Sequence, residues 1–392
     1  MASERSYDVV LLGATGFAGE LTAEYLAEAV PPGCRWALAG RNERKLAAVR
    51  QRLSEHNPSC ADLALLHADS TDESSLHRLA ESTRVLITTV GPYLHYGEPL
   101  VAACAAAGTD YVDLTGEPEF VDRMYLRHHE TAVRTGARIV HACGFDSIPY
   151  DLGVYHTVRQ LPTDKPVTVT GQVRVNSAFS GGTYASALTA FSRPRQMADA
   201  AKQRRRIEAR PADRRIHTPL DSPRRDRDTG LWLAPMPTLD PRIVARSAAT
   251  LPEYGPDFTY RQYAAVKRLP VLAAGLTGLG ALALLAQIPP ARRALGNIRA
   301  PGTGPSEQRR ANSWFCVRFT GEAAGTRVHT EFAGGDPGYD ETAKMLAESA
   351  LCLAFDDLPS TAGQVTTATA MGSALLDRLR AAGLTIRTID RS

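Results

Sequence analysis

Apolar residues follow two different periods along this chain. Up to about residue 145, short apolar runs at 7–12, 36–39, 63–66, 85–90 and 138–141 alternate with stretches near 20–29, 42–53, 74–79, 99–107 and 119–135, where apolar residues recur every three or four positions. Strands that are apolar on both faces suit a sheet covered on both sides, and the intervening helices make consecutive strands parallel. The pattern predicts an α/β fold: a Rossmann-type doubly wound parallel sheet with a five-stranded core over residues 1–150. After Tyr150 the period changes. VTVTGQVRV (167–175) alternates, as do 313–320 and 326–333 across Gly321–Gly325, which predicts antiparallel strands in a second, mixed α+β domain over 151–355. ETAKMLAESALCLAF and ATAMGSALLDRLRAAG read as helices, the second closed by Gly383 as a C′ glycine ahead of a short strand, LTIRTI. The helical C-terminal region, about 356–392, is expected to pack back on the first domain.

Two segments break this plan. Residues 193–228 hold 12 Arg/Lys against 6 Asp/Glu, so the net charge of +3 conceals a local excess of +6. This basic loop reads either as a docking surface for an acidic partner or anionic membrane, or as a solvated stretch with too few apolar residues to fold. Aromatic residues are not interleaved with its arginines, which argues against nucleic acid. Residues 269–288, LPVLAAGLTGLGALALLAQI, carry no charge and lie between Lys267–Arg268 and Arg292–Arg293. Their length would reach across a bilayer, but the alanine–glycine content and early Pro270 favour a packed or interfacial helix, with a substrate-channel wall and a membrane span as the other readings.

The 392 residues, 44% of them apolar, suffice for two cores. Six scattered cysteines form no CxxC pair and no metal-spaced cluster, and MASERSYDVV lacks an apolar signal core. The expected location is cytoplasmic, with peripheral contact at the inner face of the plasma membrane as the further reading raised by the apolar segment.

Candidate chemistry begins at the first strand. In YDVVLLGATGFAG the strand runs into Gly13, Gly16 and Gly19 just ahead of a helix. Gly13 permits a sharp exit, Gly16 lets backbone approach a diphosphate, and Gly19 lets the helix pack on the strand with its N-terminal N–H groups facing the anion. The spacing is GxxGxxG rather than GxGxxG, so the strand–turn–helix context carries the inference of a dinucleotide site. The second strand ends ALAGRNERKL, with no acid for a ribose 2′-hydroxyl and Arg41 in its place, which suits a 2′-phosphate and points to NADPH. Asp69 ends the third strand, either beside the adenosine or capping the next helix. Gly91 and Pro92 end the fourth, ahead of Tyr93 and Tyr96. In HACGFDSIPYDLGV, Gly144 permits close approach, and Asp146 or Ser147 reads as a helix cap. FSGGTYAS puts a glycine pair before Thr183 and Tyr184, and the chain contains no GxSxG motif.

The blocks VGPYLHYGEPLVAACAAAGTDYVDLTGE and HACGFDSIPYDLGV resemble those of the saccharopine dehydrogenase-like oxidoreductases. FSGGT, GDPGYDETAKMLAESALCLA and TATAMGSALLDRLRAAG are similar to the trans-acting enoyl reductase branch of that family. The resemblance implies a cofactor turn at Gly13, Thr15, Gly16, Phe17 and Gly19, with Gly91 and Pro92 beyond the fourth strand. It also implies work beside a polyketide synthase on an acyl-carrier-bound chain, reducing a C=C bond in phthiocerol-type lipid assembly. For that reaction Tyr93, Tyr96 and Tyr184 are candidates for oxyanion donor or acid, because a neutral phenol can donate into an apolar cleft. A saccharopine reductase-like imine or carbonyl oxidoreductase is the alternative, and a non-catalytic NADP(H)-binding scaffold at a membrane is another.

Overall fold

The structure, a computed structural model, describes residues 5–177, 181–227, 229–296 and 304–391. Six strands, β1 (Tyr7–Leu12), β2 (Trp36–Gly40), β3 (Ala64–His67), β4 (Thr83–Thr88), β5 (Asp110–Asp113) and β6 (Arg138–Val140), alternate with helices. They lie parallel in the order β6-β5-β4-β1-β2-β3. Val9 and Leu11 enter one core with the helices Phe17–Ala29 and Asp340–Phe355, while Val10 and Leu12 enter the opposite core with Glu73–Ser82, Glu98–Ala107 and Pro118–Thr135. Burial on both faces is why these strands carry no polar alternation.

The second sheet contains β7 (Val167–Asn176), β8 (Arg215–His217), β9 (Arg224–Arg225), β10 (Trp232–Pro235), β11 (Asp257–Val266), β12 (Trp314–Ala323) and β13 (Thr326–Gly334). The C-terminal region then supplies one strand to each sheet. β14 (Gly363–Val365) pairs with β6 as the seventh strand of the first sheet, and β15 (Thr385–Arg391) pairs with β13 at the edge of the second. The second sheet runs β15-β13-β12-β7-β11-β10-β9, with β8 beside β11. It is mixed, since β7 and β11 are parallel while β12 and β13 are antiparallel. The β12–β13 turn uses Ala324 and Gly325, both at positive φ (50° and 84°), as a two-residue type I′ turn requires.

The two sheets meet on the helix Ile148–Val158, in which every residue except His156 is buried. A Cβ on Gly153 would stand 2.3 Å from the Phe319 ring, so only glycine lets β12 lie this close to the helix. On its other side the Asp151 carboxylate accepts bonds from Ser247 Oγ (2.5 Å), Thr367 Oγ1 (2.7 Å) and the Ala368 N–H (2.8 Å). Three helices are thereby held at one buried anion.

Several expectations change. The first sheet has seven strands rather than five. The helix Asp340–Phe355 covers the first sheet and touches Phe17–Ala29, so the boundary drawn at residue 355 does not separate the two packing units. The tail is not one helical region but strand, helices and strand, broken at Gly372 (φ 43°) and closed by Gly383 (φ 93°).

The basic segment is not a loop. It forms the helix Pro194–Ile207 and then β8 and β9. Its charge is partly neutralised across the chain: Arg193 binds Glu119 with two 2.8 Å bonds, and buried Arg204 reaches Asp122 (3.4 Å) and Glu208 (2.5 Å). Arg204 also lies 4.0 Å from the centroid of the Tyr125 ring, and Arg242 and Arg246 converge on the same Asp122 (3.3 and 2.6 Å). Arg204–Glu208 is a local pair, but Arg193 and Arg204 meet Glu119 and Asp122 at 74 and 82 positions' distance, beyond any local sequence signal.

The apolar segment is a helix, Leu269–Ala286, with only Leu272 and Ala286 buried. It is therefore not a core helix. Leu276, Leu279, Leu284 and Leu285 face outward, and by length and composition alone the helix could cross a membrane.

The Asp122 cluster should behave as a buried ion network. Asp122→Ala is expected to lower the unfolding free energy by about 3–5 kcal/mol in urea titration, because it leaves arginines facing each other without that carboxylate. Arg242→Ala, half-buried, should cost less than Asp122→Ala, because Arg204 and Arg246 still meet the carboxylate.

Candidate active site at the carboxyl edge of the parallel sheet

β1 leaves the sheet at Gly13, which has φ +94°; a Cβ there would meet Thr89 Oγ1 at 2.7 Å and Val90 Cγ2 at 2.8 Å. Thr89 Oγ1 donates to the Gly13 carbonyl (3.2 Å), which ties the turn to the exit of β4. A Cβ on Gly19 would stand 2.1 Å from that carbonyl, so the helix rests directly on the turn. Gly16 differs: a Cβ there would meet nothing nearer than 3.5 Å. Gly16 is also the N-cap of Phe17–Ala29 and places no side chain over the helix end. No side chain caps this helix end, and Thr15 beside it is partly exposed, which suits a diphosphate at the first-turn N–H groups. Phe17 turns away and packs edge-on against Tyr339 (4.7 Å), under the Arg310 guanidinium. It braces the turn from behind.

On the β2–β3 side, Arg41 is exposed, while Asn42 caps the next helix by accepting from the Lys45 N–H (3.0 Å). Arg41 therefore remains available to a 2′-phosphate. Asp69 accepts from the N–H and hydroxyl of Thr71 (2.9 and 2.8 Å). These bonds first, and the Arg41 charge further, hold its carboxyl below the usual range. The helix cap is Asp72, which accepts from the Ser74 N–H, so the capping alternative for Asp69 gives way to a local turn.

Past Thr89 and Val90, which meet Gly13 at the exit of β4, Gly91 is exposed and Pro92 partly exposed. Tyr93, expected as an acid or oxyanion donor, is buried, donates to the Thr88 carbonyl (3.1 Å) and accepts from the Leu114 N–H (3.1 Å). Its hydroxyl is occupied at both ends, so it is a brace between β4 and β5. Buried Glu117 holds the next turn, accepting from the N–H groups of Tyr93 (3.1 Å) and Leu94 (2.8 Å) and from Ser186 Oγ (3.0 Å); burial pushes its carboxyl up. Tyr96 is exposed against His95. Tyr184 lies on Gly181–Ser192 and donates to the Leu295 carbonyl (3.3 Å), beside the apolar arm rather than the glycine turn. Phe179, Ser180 and the Thr183 side chain lie outside the described residues.

The exits of β5 and β6 carry acids that sequence reasoning gave no catalytic role. Asp113 accepts from Tyr111 (2.9 Å) and from the N–H groups of Thr115 (3.0 Å) and Ala142 (2.9 Å), with His141 Nδ1 at 2.7 Å. The His141 ring is enclosed by Phe120 and Tyr111, so the pair braces β5 against β6. Gly144, expected to let the cofactor approach, is filled from the protein side instead: a Cβ would meet Leu114 at 2.8 Å and Thr342 at 3.0 Å. Asp146 and Ser147, read as caps, make no cap bond to the helix Ile148–Val158. Burial pushes Asp146 up to about 6.

A further buried acid opens the helix Asp240–Thr250, just after β10. Asp240, buried, accepts from Thr238 Oγ1 (2.5 Å) and Gln262 Nε2 (2.8 Å), and burial pushes it up to about 7. A cavity of about 180 Å³ opens there between Met236, Thr238, Pro241, Tyr260 and Gln262. A larger one, about 370 Å³, lies at the opposite, amino edge among Arg5, Arg84, Asp110 and Arg138. The smaller cavity is lined wholly from the second domain, and the larger lies away from the carboxyl ends of the parallel strands, outside which ligands of open α/β sheets bind.

Residues 9–140 match the family model described as the saccharopine dehydrogenase NADP binding domain. A Mycobacterium tuberculosis protein assigned to the trans-acting enoyl reductases is 42% identical over 99% of this chain and 98% of its own. Trans-acting enoyl reductases of Mycobacterium bovis and Mycobacterium ulcerans are 39% and 38% identical, each over 98% of both chains. Among solved structures, apo saccharopine dehydrogenase (L-Glu forming) from Saccharomyces cerevisiae superposes with a TM-score of 0.58 over 98% of this chain and 100% of that one, at 13% identity, a likeness of fold alone. The first sheet is an NADP-binding domain, and the chain belongs to the saccharopine dehydrogenase-like oxidoreductases, in the trans-acting enoyl reductase branch.

Proposed function

We propose that this chain is an NADPH-dependent trans-acting enoyl reductase, reducing a C=C bond of an acyl thioester delivered by the carrier domain of a polyketide synthase during complex-lipid assembly. The observation that carries this reading is the likeness to curated enoyl reductases over nearly the whole chain, second domain included. Bound at the turn, NADPH would supply a hydride to the β-carbon of the unsaturated thioester. Gly13 and Gly16 with the first N–H groups of the helix Phe17–Ala29 hold the diphosphate, Arg41 takes the 2′-phosphate, and Asp69 borders the adenosine. Gly91 and Pro92 border the nicotinamide end, and the exposed Tyr96 hydroxyl stands nearby as a donor for thioester oxygen. Tyr184 positions the helix Gly181–Ser192 against the apolar arm.

Two surfaces suit the substrate. Arg205, Arg206 and Arg210 remain exposed beside the pinned Arg204 and offer an acidic carrier domain a positive face. The outward leucines of Leu269–Ala286, with Lys267–Arg268 before them and Arg292–Arg293 after, suit an anionic lipid surface on which an acyl chain is handed over.

Mixing the protein, NADPH and a synthetic enoyl thioester should oxidise the cofactor, read by absorbance. Cofactor binding without turnover would instead favour the scaffold, and turnover of a cyclic imine alone would favour the imine reductase. Arg41→Ala should cut the preference for NADPH over NADH about 10- to 100-fold, the worth of charge-assisted bonds to one phosphate. Arg205→Glu with Arg206→Glu and Arg210→Glu should raise KM for carrier-bound acyl chains at low salt and leave free thioesters unaffected; equal effects on both would remove the docking role. Co-sedimentation with anionic vesicles should fall about tenfold for Leu276→Glu with Leu284→Glu, and retained binding would dismiss the lipid contact.

A further inference from the structure

Most carboxylates at the carboxyl edge are occupied. Asp113 and Glu117 each accept three or more bonds, and Asp151 accepts three. Asp146 is the exception: it makes no bond to the helix it precedes, and no cation or hydrogen-bond donor partners it among the described residues. It lies deep in the molecule yet remains partly accessible. A Cβ on Gly116 would stand 3.0 Å from its Oδ2, so the bare backbone after β5 leaves it room. Its charge is felt at Tyr93 after β4, at Tyr150 on its own helix and at Asp240. Those groups and Glu117, next to Gly116, are the titratable groups around it, and none is cationic. Asp240 is similarly incomplete, since its Oδ1 is buried without a partner.

The position matters as much as the missing partners. The diphosphate turn lies at β1 and Arg41 fixes the adenosine over β2 and β3, so the nicotinamide end extends over the exits of β4, β5 and β6. Asp146 follows the β6 exit, its Oδ2 against the Gly116 backbone after β5 and its charge felt at Asp240 on the helix Asp240–Thr250.

We propose that Asp146 is the proton donor of the reduction, placing its carboxyl proton on the α-carbon of the acyl thioester. This rests on the enoyl reductase reading. The C=C π pair is displaced toward the α-carbon and thioester oxygen as a C–H bond forms at the β-carbon with the hydride and electron pair of NADPH, which leaves as NADP⁺. The Asp146 O–H bond then breaks as the α-carbon C–H bond forms, and the carboxylate regains its proton from solvent after product departs. Asp240 is a second raised carboxyl, and the charge of Asp146 adds there to what burial does. Burial keeps both protonated closer to neutrality than free carboxyls, as an acid working there requires.

The test begins without cofactor. A raised folded-state pKa means that wild type loses stability as pH climbs from about 4 through 6, where the native state holds a proton that the unfolded chain has released. Asp146→Asn lacks this loss, so its Tm advantage over wild type should be near zero at pH 4 and grow by pH 8. With NADPH and enoyl thioester, Asp146→Asn should slow reduction by about 100-fold or more while binding NADPH normally. The fall in wild-type rate above about pH 6 should disappear in this variant and remain in Asp240→Asn, because burial alone raises Asp146. A wild-type rate with an unchanged pH limb in Asp146→Asn overturns the assignment, as does a Tm difference independent of pH. Parallel assays on a cyclic imine separate the two ideas. If wild type reduces only the imine, the enoyl reading falls, and the same limb read on the imine decides Asp146 independently.

Discussion

The buried carboxylate of Asp151 and the helix that carries it set the relation between the two sheets. Three donors from two other helices close on it, so Ile148–Val158 cannot rotate or slide without stranding an anion in apolar surroundings. Gly153, on the same helix, lets β12 come within ring contact, and Gly144, just before the helix, packs against Leu114 and Thr342. The approach of the second sheet to the first therefore follows from how this one helix is held.

Acids in this protein divide by partnership. Glu119 and Asp122 are surrounded by arginines, and Asp113 is enclosed by donors on two strands. All three hold elements together. Asp146 and Asp240 lack full partners, and burial raises both. Placing an under-satisfied acid in a fold weakens the fold, and where the charge of one such acid is felt at another, function is the economical physical explanation.

Much of the first domain was legible because its information is local. The strand Tyr7–Leu12 and the glycine turn are encoded within their own residues, as are the β12–β13 hairpin and Gly383. β5 was missed because DYVD looks too polar for a buried strand; Asp110 is met by Arg138 and Asp113 by His141, pairings 28 positions apart. The helix Pro194–Ile207 looked like a charged loop for the same reason, since its stabilising acids sit on Pro118–Thr135. At the site, the strand–turn–helix at Gly13–Gly19 was readable because it is written in consecutive residues. Tyr93 misled because a tyrosine after a Gly-Pro turn gives no hint that two backbone groups will occupy its hydroxyl. Asp146 was hidden by the Ser-Ile-Pro that follows it, which imitates an ordinary helix start.

The apolar helix leaves the second sheet at β11 and the chain returns to it at β12, with β7 between them. Both ends of the excursion are thus fixed on one side of any bilayer it meets. A chain that starts and finishes on the same side crosses an even number of times, and among the described residues only one helix is long enough to cross at all. Arg292, Arg293, Arg309 and Arg310 occupy the path that a returning span would need. Among the described residues the topology therefore leaves this helix without the second span that a crossing would need.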